Sequence, residues 1–244
     1  MSSYCGNVLR PSALTRTMFR LGLKRRCCVC VMTEAQNERQ LLSEGLTRIQ
    51  GEPPLPAVVD LLLQYAQRLR LWNRRFNLIS RGDEEKLVSR HLLDSLILLP
   101  FIDRQPIIDL GSGAGLPGIP LAICRPELSI TLLDSNGKKT RFLTQVKTEL
   151  QLEQLQVVHA RMEQHRPPVA FNLLLSRAVS DVATLIEQSS QLAAPAARYL
   201  FLKGTYPQHE LENIPPTHQV VAVESLKVPG LSATRHLVIV QKRE

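Results

Sequence analysis

Asp109-Leu110-Gly111-Ser112-Gly113-Ala114-Gly115-Leu116-Pro117-Gly118 is a glycine-rich turn set between two apolar runs. The run before it, Pro106-Ile107-Ile108-Asp109-Leu110, reads as a short buried strand, and the run after it, Ile119–Ile123, as a helix. Glycines let the backbone turn tightly and approach a ligand closely. Pro117 suits a first helical turn. Strands and helices then alternate. Ile130–Leu133 is expected as a second strand, and Lys138–Leu150 as a helix with Phe142, Leu143, Val146 and Leu150 on one face. Leu155–Val158 and Phe171–Leu175 follow as strands, Asp181–Leu192 as a helix and Tyr199–Leu202 as a fifth strand. This alternation predicts an α/β fold with a parallel, doubly wound sheet. Val220–Val223 and Leu237–Val240 have no clear helix between them, which predicts an antiparallel pair at the sheet edge.

Ahead of the turn the chain reads as helical. From Val58 to Ile79 apolar residues recur at Leu62, Tyr65, Leu69, Trp72, Phe76 and Ile79, the spacing of one amphipathic helix face. Pro53, Pro54 and Pro56 close an earlier helix expected over Glu38–Ile49. Asp83 is placed to cap a helix from Lys86 to Leu99 that Pro100 ends. Residues 32–104 therefore predict an N-terminal helical cap, and residues 105–244 the core.

Sheets of this kind take ligands at the carboxyl ends of their strands. The second strand ends in Leu133-Asp134, and an acid about 20 residues after a glycine loop is placed to accept hydrogen bonds from a ribose diol. Gly113-x-Gly115-x-x-Gly118 also matches the dinucleotide fingerprint, so a nicotinamide-dependent oxidoreductase is a competing reading. A non-catalytic RNA-binding protein that keeps a cofactor pocket is another. Asp109 argues against the oxidoreductase, because Asp-x-Gly-x-Gly-x-Gly resembles the first motif of class I S-adenosylmethionine-dependent methyltransferases. That cofactor has no pyrophosphate for a helix N-terminus to neutralise. Its amino acid end suits a nearby carboxylate.

A length of 244 residues suits one globular domain with a modest appendage. Hydrophobic content of 44% and charged content of 21% exclude a disordered or collagenous chain. The net charge of +8 points to an anionic partner such as nucleic acid. That charge is skewed. Arg10, Arg16, Arg20, Lys24, Arg25 and Arg26 stand in residues 1–31 without one acid, beside Cys5, Cys27, Cys28 and Cys30. The segment reads as a transit peptide, as a Cys-rich metal tail, or as sequence upstream of a start at Met32. The triplet Cys27-Cys28-Val29-Cys30 is too tight for the usual metal spacing. Met32-Thr-Glu-Ala-Gln-Asn-Glu reads as a fresh N-terminus and favours the third. Beyond it Cys124 stands alone, which excludes a disulfide framework there and fits a reducing, cytoplasmic setting. No run approaches the roughly 20 apolar residues of a membrane span. The histidines show no metal spacing.

With these residues in view, the chain from about Leu61 to Lys242 resembles the bacterial small-subunit ribosomal RNA methyltransferase G family, also called glucose-inhibited division protein B. The anchors are Trp72-Asn73-x-x-Phe76-Asn77-Leu78, Arg90-His91-Leu92-Leu93-Asp94-Ser95, the glycine turn through Pro120, Leu132-Leu133-Asp134-Ser135 and Lys138–Leu143. Ser176-Arg177-Ala178, Lys203-Gly204 and Arg235-His236-Leu237 complete them. The resemblance implies a class I, Rossmann-like methyltransferase sheet with an N-terminal helical cap. It implies methylation of N7 of one guanine of 16S ribosomal RNA, in the small subunit, with S-adenosyl-L-methionine as cofactor. It places cofactor contacts at Gly111, Gly113, Leu116, Asp134, Met162, Glu163 and Arg177. No metal, membrane or obligate protein partner is expected. The sequence departs from the family at Asn172, where an acid is common, so any carboxylate role there is in doubt.

Guanine N7 carries an in-plane lone pair and needs no deprotonation, so the reaction asks for alignment above all. No general base or covalent nucleophile is assigned. Arg166-Pro167-Pro168-Val169 does not match the motif of exocyclic amine methylation, and Cys124 lies on the buried helix after the turn. Lys138, Arg141 and Lys203 are expected to meet RNA phosphates, which give affinity and register. Arg68, Arg70, Arg74, Arg75 and Arg81 form either a solvated face or a further RNA contact. Trp72, Phe76 and His159 are expected in the core. His91 and Asp94 share a helix face and are read first as a structural hydrogen-bonded pair against the sheet, with a place on the site rim as the alternative.

Overall fold

The structure is a computed structural model that describes residues 28–177 and 180–243. The readings made for residues 1–27, the basic and cysteine-rich part of the chain, lie outside the described residues. Two helices come first, α1 (Cys28–Gln50) and α2 (Pro56–Phe76), and residues Asn37–Glu244 form one compact unit. The α2 face expected from spacing is buried at Leu62, Tyr65 and Leu69, joined by Val59, Ala66 and Asn73. It ends at Phe76, three residues short of expectation. Asn77 takes a left-handed conformation, and its amide donates back to the Asn73 carbonyl. The Asn73 side chain, buried itself, accepts the Ile79 amide at 2.9 Å and so fixes the chain's exit. Trp72 is only half-buried, against Phe76 and Phe142, and Phe76 is exposed, so neither is a core residue as expected.

The single helix expected from Lys86 is broken into pieces. A 3-10 turn (Arg81–Lys86) leads into a widened π-type turn (Val88–Leu93), the short α3 (Asp94–Leu96) and a second 3-10 turn (Leu99–Phe101). Asp83 makes no capping bond. It is ion-paired with Arg90 instead. Widened turns of this kind re-aim side chains and gather at functional sites.

The core follows in the expected alternation: β1 (Ile107–Leu110), α4 (Gly118–Cys124), β2 (Ile130–Asp134), α5 (Gly137–Glu149), β3 (Leu155–His159) and β4 (Phe171–Arg177). Then come α6 (Val182–Ser189), β5 (Ala193–Lys203), a short α7 (Gln208–Leu211) that the sequence did not announce, β6 (His218–Lys227) and β7 (Thr234–Lys242). The seven strands run β3-β2-β1-β4-β5-β7-β6. The first five are parallel, while β7 is antiparallel to β5 and to β6, as the two late strands predicted. Every residue of β1 and β2 is buried, which is why both read as unbroken apolar runs.

Apolar layers cover both faces. One, with Leu42, Leu62, Leu92, Leu132 and Phe142, joins the helical front to the sheet. The other, with Ile108, Leu174, Val182 and Tyr199, lies under α6. The strand order reverses between β1 and β4, so the crevice between their carboxyl ends is where a ligand belongs.

Close packing at the first residue of α4 holds that crevice open. A side chain on Gly118 would place its first carbon 2.2 Å from Leu132 Cδ2 and 3.0 Å from Asp109 Oδ2. Gly118→Ala is therefore expected to destabilise the fold by about 1–3 kcal/mol, the usual cost of overpacking, read as a lower urea midpoint. An unchanged midpoint would refute this packing argument.

Candidate functional site

The glycine turn is held from three directions. Gly111, Gly113 and Gly115 all have positive φ, so the turn doubles back on itself. From below, the fully buried Asp109 accepts the Gly118 amide at 3.0 Å, while Ser112 donates its hydroxyl to the Asp109 carbonyl at 2.8 Å. From the neighbouring strand, Asp134 accepts the Gly113 amide on one oxygen and the Asn136 amide on the other, both at 2.8 Å. From the helical front, Tyr65 donates its hydroxyl to the Ala114 carbonyl at 2.7 Å. Tyr65 is fully buried, and burial pushes its hydroxyl well above its ordinary pKa, so it stays a donor.

A cavity of about 650 Å³ opens above this turn at the strand switch. All seven residues expected at the cofactor site line it: Gly111, Gly113, Leu116, Asp134, Met162, Glu163 and Arg177. Met162 and Glu163 stand on a 3-10 turn (Met162–Gln164) that follows β3. Asp109 does not line the cavity. Its carboxylate is committed to the turn, not to a ligand's amino group.

The helical front supplies a wall of which the sequence offers only His91, as the alternative rim reading, and misses Leu78 and Ile79. Leu78, Ile79 and His91 line the cavity opposite the turn. Arg177 at the end of β4 donates to Asp94 Oδ2 at 3.0 Å, lies 3.0 Å from His91 Nδ1 and reaches the Arg90 carbonyl. Asp94 is buried and also accepts from Arg235 of β7 at 2.5 Å. His91 and Asp94 are thus a structural cluster, as expected, yet His91 is a cavity wall as well. Burial first, then the Arg177 guanidinium, hold the His91 pKa down at about 4, so its ring is neutral at pH 7. Arg177 can only donate, so the facing Nδ1 is the acceptor and Nε2 carries the hydrogen. The ionisable groups on the wall are then three cations, Lys139, Arg161 and Arg177, against two carboxylates, Asp134 and Glu163.

The expected RNA contacts divide. Lys138 and Arg141 are exposed at the start of α5, but it is Lys139 that faces the cavity. Lys203 is turned inward, a correction to the RNA reading. Its ammonium donates to Glu210 at 2.7 Å and to the Ser180 carbonyl at 2.8 Å, and tethers the segment ahead of α6. Arg68 and Arg70 are paired with Glu149 and Glu38, while Arg74 and Arg75 are exposed. His159 is exposed, not a core residue, and its ring meets the Ser135 carbonyl at 3.0 Å. Asn172 donates to the Gln105 carbonyl at the amino end of β4, so an acid there would face away from the cavity. Cys124 is half-buried, and burial pushes its thiol up to about 12. Among the described residues no cluster of metal-ligating side chains occurs, and no helix is long and apolar enough to cross a membrane.

Asp109 gives the site a pH signature. Burial pushes its carboxyl up to about 7, against the pull of the Gly118 amide. In the unfolded chain the same group titrates near 3.9. A raised carboxyl contributes stability that is full below the unfolded value and is lost as pH rises through the folded one. Asp109→Asn is expected to gain stability relative to the parent protein as pH rises from about 4 to about 7, with the difference level above that. Urea unfolding across this range checks it, and a pH-independent difference would count against the buried carboxyl.

The comparisons with known proteins agree with this geometry. A family model described as rRNA small subunit methyltransferase G matches residues 59–238. The chain is 48% identical over 205 residues to the ribosomal RNA small subunit methyltransferase G of Stutzerimonas stutzeri (strain A1501), covering 82% of this chain and 95% of that one. It is 43% identical to the protein of the same name from Legionella pneumophila (strain Corby), covering 83% and 94%. Among solved structures, the glycopeptide N-methyltransferase MtfA superposes with a TM-score of 0.53 at 8% identity, covering 65% of this chain and 98% of that one. That likeness is one of fold. The match across most of the chain and of its relatives' length places this protein in the rRNA small subunit methyltransferase G family.

Proposed function

We propose that the chain transfers the methyl group of S-adenosylmethionine to N7 of one guanine of 16S ribosomal RNA in the small ribosomal subunit. The observation that carries the choice of cofactor is the Asp109–Gly118 bond at the head of α4. A dinucleotide site needs the first helix amides free for a pyrophosphate. Here the first amide of α4 is taken by a buried carboxyl group of the chain itself, so it is closed to a second acceptor. Asp134 supports the nucleoside half of the reading. Each of its oxygens accepts one backbone amide and keeps a further lone pair for a ribose hydroxyl. The cavity's volume and the close approach of Gly113 to it fit a cofactor of that size.

S-adenosylmethionine, when bound, supplies a methyl group activated by its sulfonium. The chain's residues supply position. Asp134 holds the ribose, Met162 and Glu163 form the wall beyond it, and the turn's backbone sets the depth of approach. Leu78 and Ile79 offer an apolar wall for the entering base on the other side. Guanine N7 gives up no proton, and the neutral His91 neither takes nor gives one. Rate is gained by holding N7 in line with the methyl group. The carboxylates of Asp134 and Glu163 favour the positive charge that the base acquires. Lys138, Lys139 and Arg141 sit at the rim as phosphate contacts. Lys203 acts from inside, through Glu210.

Two measurements test this. Isothermal titration is expected to show binding of S-adenosylmethionine and none of NAD(H). The reverse result would sink the proposal. Labelled methyl transfer to small subunits lacking the modification is expected to yield one labelled guanine that mapping by N7-specific strand cleavage locates. A folded, cofactor-binding sample that transfers nothing would make the chain a binding protein. Gly113→Val sharpens the pocket. A side chain there meets only Gly111 O and Lys139 Nζ, at 3.8 and 3.9 Å, so there is space for it on the cavity side. The positive φ of Gly113 strains a β-branched residue, so urea unfolding first establishes that the variant is folded. Cofactor affinity is expected to fall by at least about tenfold in a folded variant. Unchanged affinity would place the ligand elsewhere.

A further inference from the structure

At the same end of the sheet, two strands along from Arg177, an aromatic pair stands open to solvent. β5 ends at Lys203, and Tyr206 lies in the loop just beyond with 52% of its surface exposed. Its ring meets that of His236 at a centroid distance of 5.5 Å and an interplanar angle of 84°. His236 stands on β7 directly opposite Lys203, and its Nδ1 lies 3.4 Å from the Ser225 hydroxyl of β6. Three strands therefore support the pair. In an edge-to-face contact at most one face of either ring is covered, so Tyr206 keeps at least one face uncommitted.

The surroundings say what kind of partner fits. Arg235 precedes His236 and turns to the other face of the sheet, where it holds Asp94, which in turn holds Arg177 on the cavity wall. From β4 to β7 is two strand spacings of about 4.8 Å each, so the two strand ends are offset by roughly 10 Å in the plane of the sheet, with His236 on one face and Arg177 with Asp94 on the other. That span is a few stacked nucleotides, each rising about 3.4 Å. Of the other large apolar side chains that are exposed among the described residues, Phe76 and Val169 lie on other elements, and Val220 and Val221 lie toward the far end of β6, four or more residues from Ser225. A lone open ring without an apolar surround is a poor seat for a protein hot spot, which needs a water-excluding rim. It is a good seat for a base, since single-stranded RNA is read by stacking unpaired bases on aromatic rings.

We propose that Tyr206, braced by His236, is a stacking platform for an unpaired nucleotide close to the guanine that enters the cavity. This rests on the reading of the substrate as ribosomal RNA. Loss of one base stack on alanine substitution corresponds to roughly 5- to 150-fold in affinity. Tyr206→Ala is expected to weaken binding of unmethylated small subunits, and to raise the KM for them, by a factor in that range. The affinity for S-adenosylmethionine and the kcat at saturating subunits stay as in the parent. Tyr206→Phe keeps the ring and is expected to restore binding. A photo-crosslinker in place of Tyr206 is expected to capture a nucleotide near the methylated guanine.

Full subunit binding by Tyr206→Ala, Tyr206→Phe as weak as Tyr206→Ala, or capture of a ribosomal protein would each overturn the platform. The two readings fail differently. If the parent protein methylates subunits and Tyr206→Ala matches it, only the platform falls. If the parent protein neither binds nor methylates subunits, the RNA reading falls and the platform with it.

Discussion

A carboxylate sealed from water makes the site possible. Asp109 lies one residue before the end of β1, is fully buried, and accepts the first amide of α4. Burying a charge is costly unless it is bonded. Here the cost is tolerated because the bond closes a turn that three left-handed glycines have already bent. With α4 fixed so close to β1 and β2 that Gly118 has no room for a side chain, the turn's upper surface faces the cavity with backbone rather than bulk. Asp134 and Tyr65 then hold that surface from β2 and from α2. The same bond takes the first amide of α4, so one contact shapes the floor of the pocket.

The helical front is part of this site, not a separate cover. Its apolar face merges with one layer of the sheet. Its polar contribution is the cluster around Asp94, whose two oxygens bind Arg177 of β4 and Arg235 of β7, 83 and 141 residues further along the chain. Removing one partner from such a buried pair leaves an uncompensated charge, so the three side chains stand or fall together. The π-type turn before α3 aims His91 at the same place, and burial, helped by the neighbouring arginine, keeps it neutral. A neutral ring beside a fixed guanidinium gives the cavity a wall whose charge does not change near pH 7.

The strands and helices of the core were legible because their signals are local. β1 and β2 are buried on both sides, so they read as continuous apolar runs, and the glycine turn carries its own conformational demand. The antiparallel pair at the edge was legible from the missing helix between its strands. Errors came where a neighbour distant in sequence decides. α2 stops early because Asn77 and Asn73 lock its exit. Lys138 was preferred to Lys139, although one residue along a helix turns a side chain by about 100°. Lys203 looked free because its partner Glu210 sits on α7, a short helix with no signal of its own.

The sequence by itself determined the doubly wound architecture, the place of the glycine turn at a strand end, and the seven residues around it. The architecture and the turn follow from periodicity and from glycine's freedom at positive φ, and Asp134 from its spacing after the turn, whereas Gly111, Leu116, Met162, Glu163 and Arg177 follow from the resemblance to a known family. Tertiary structure alone decided that Asp109 serves the turn and not the ligand, that Tyr65 reaches Ala114, and that Arg177, Asp94 and Arg235 form one cluster. Each is a contact between side chains or loops far apart in sequence. Which atoms meet there depends on strand order and helix rotation, and neither is encoded in any local window.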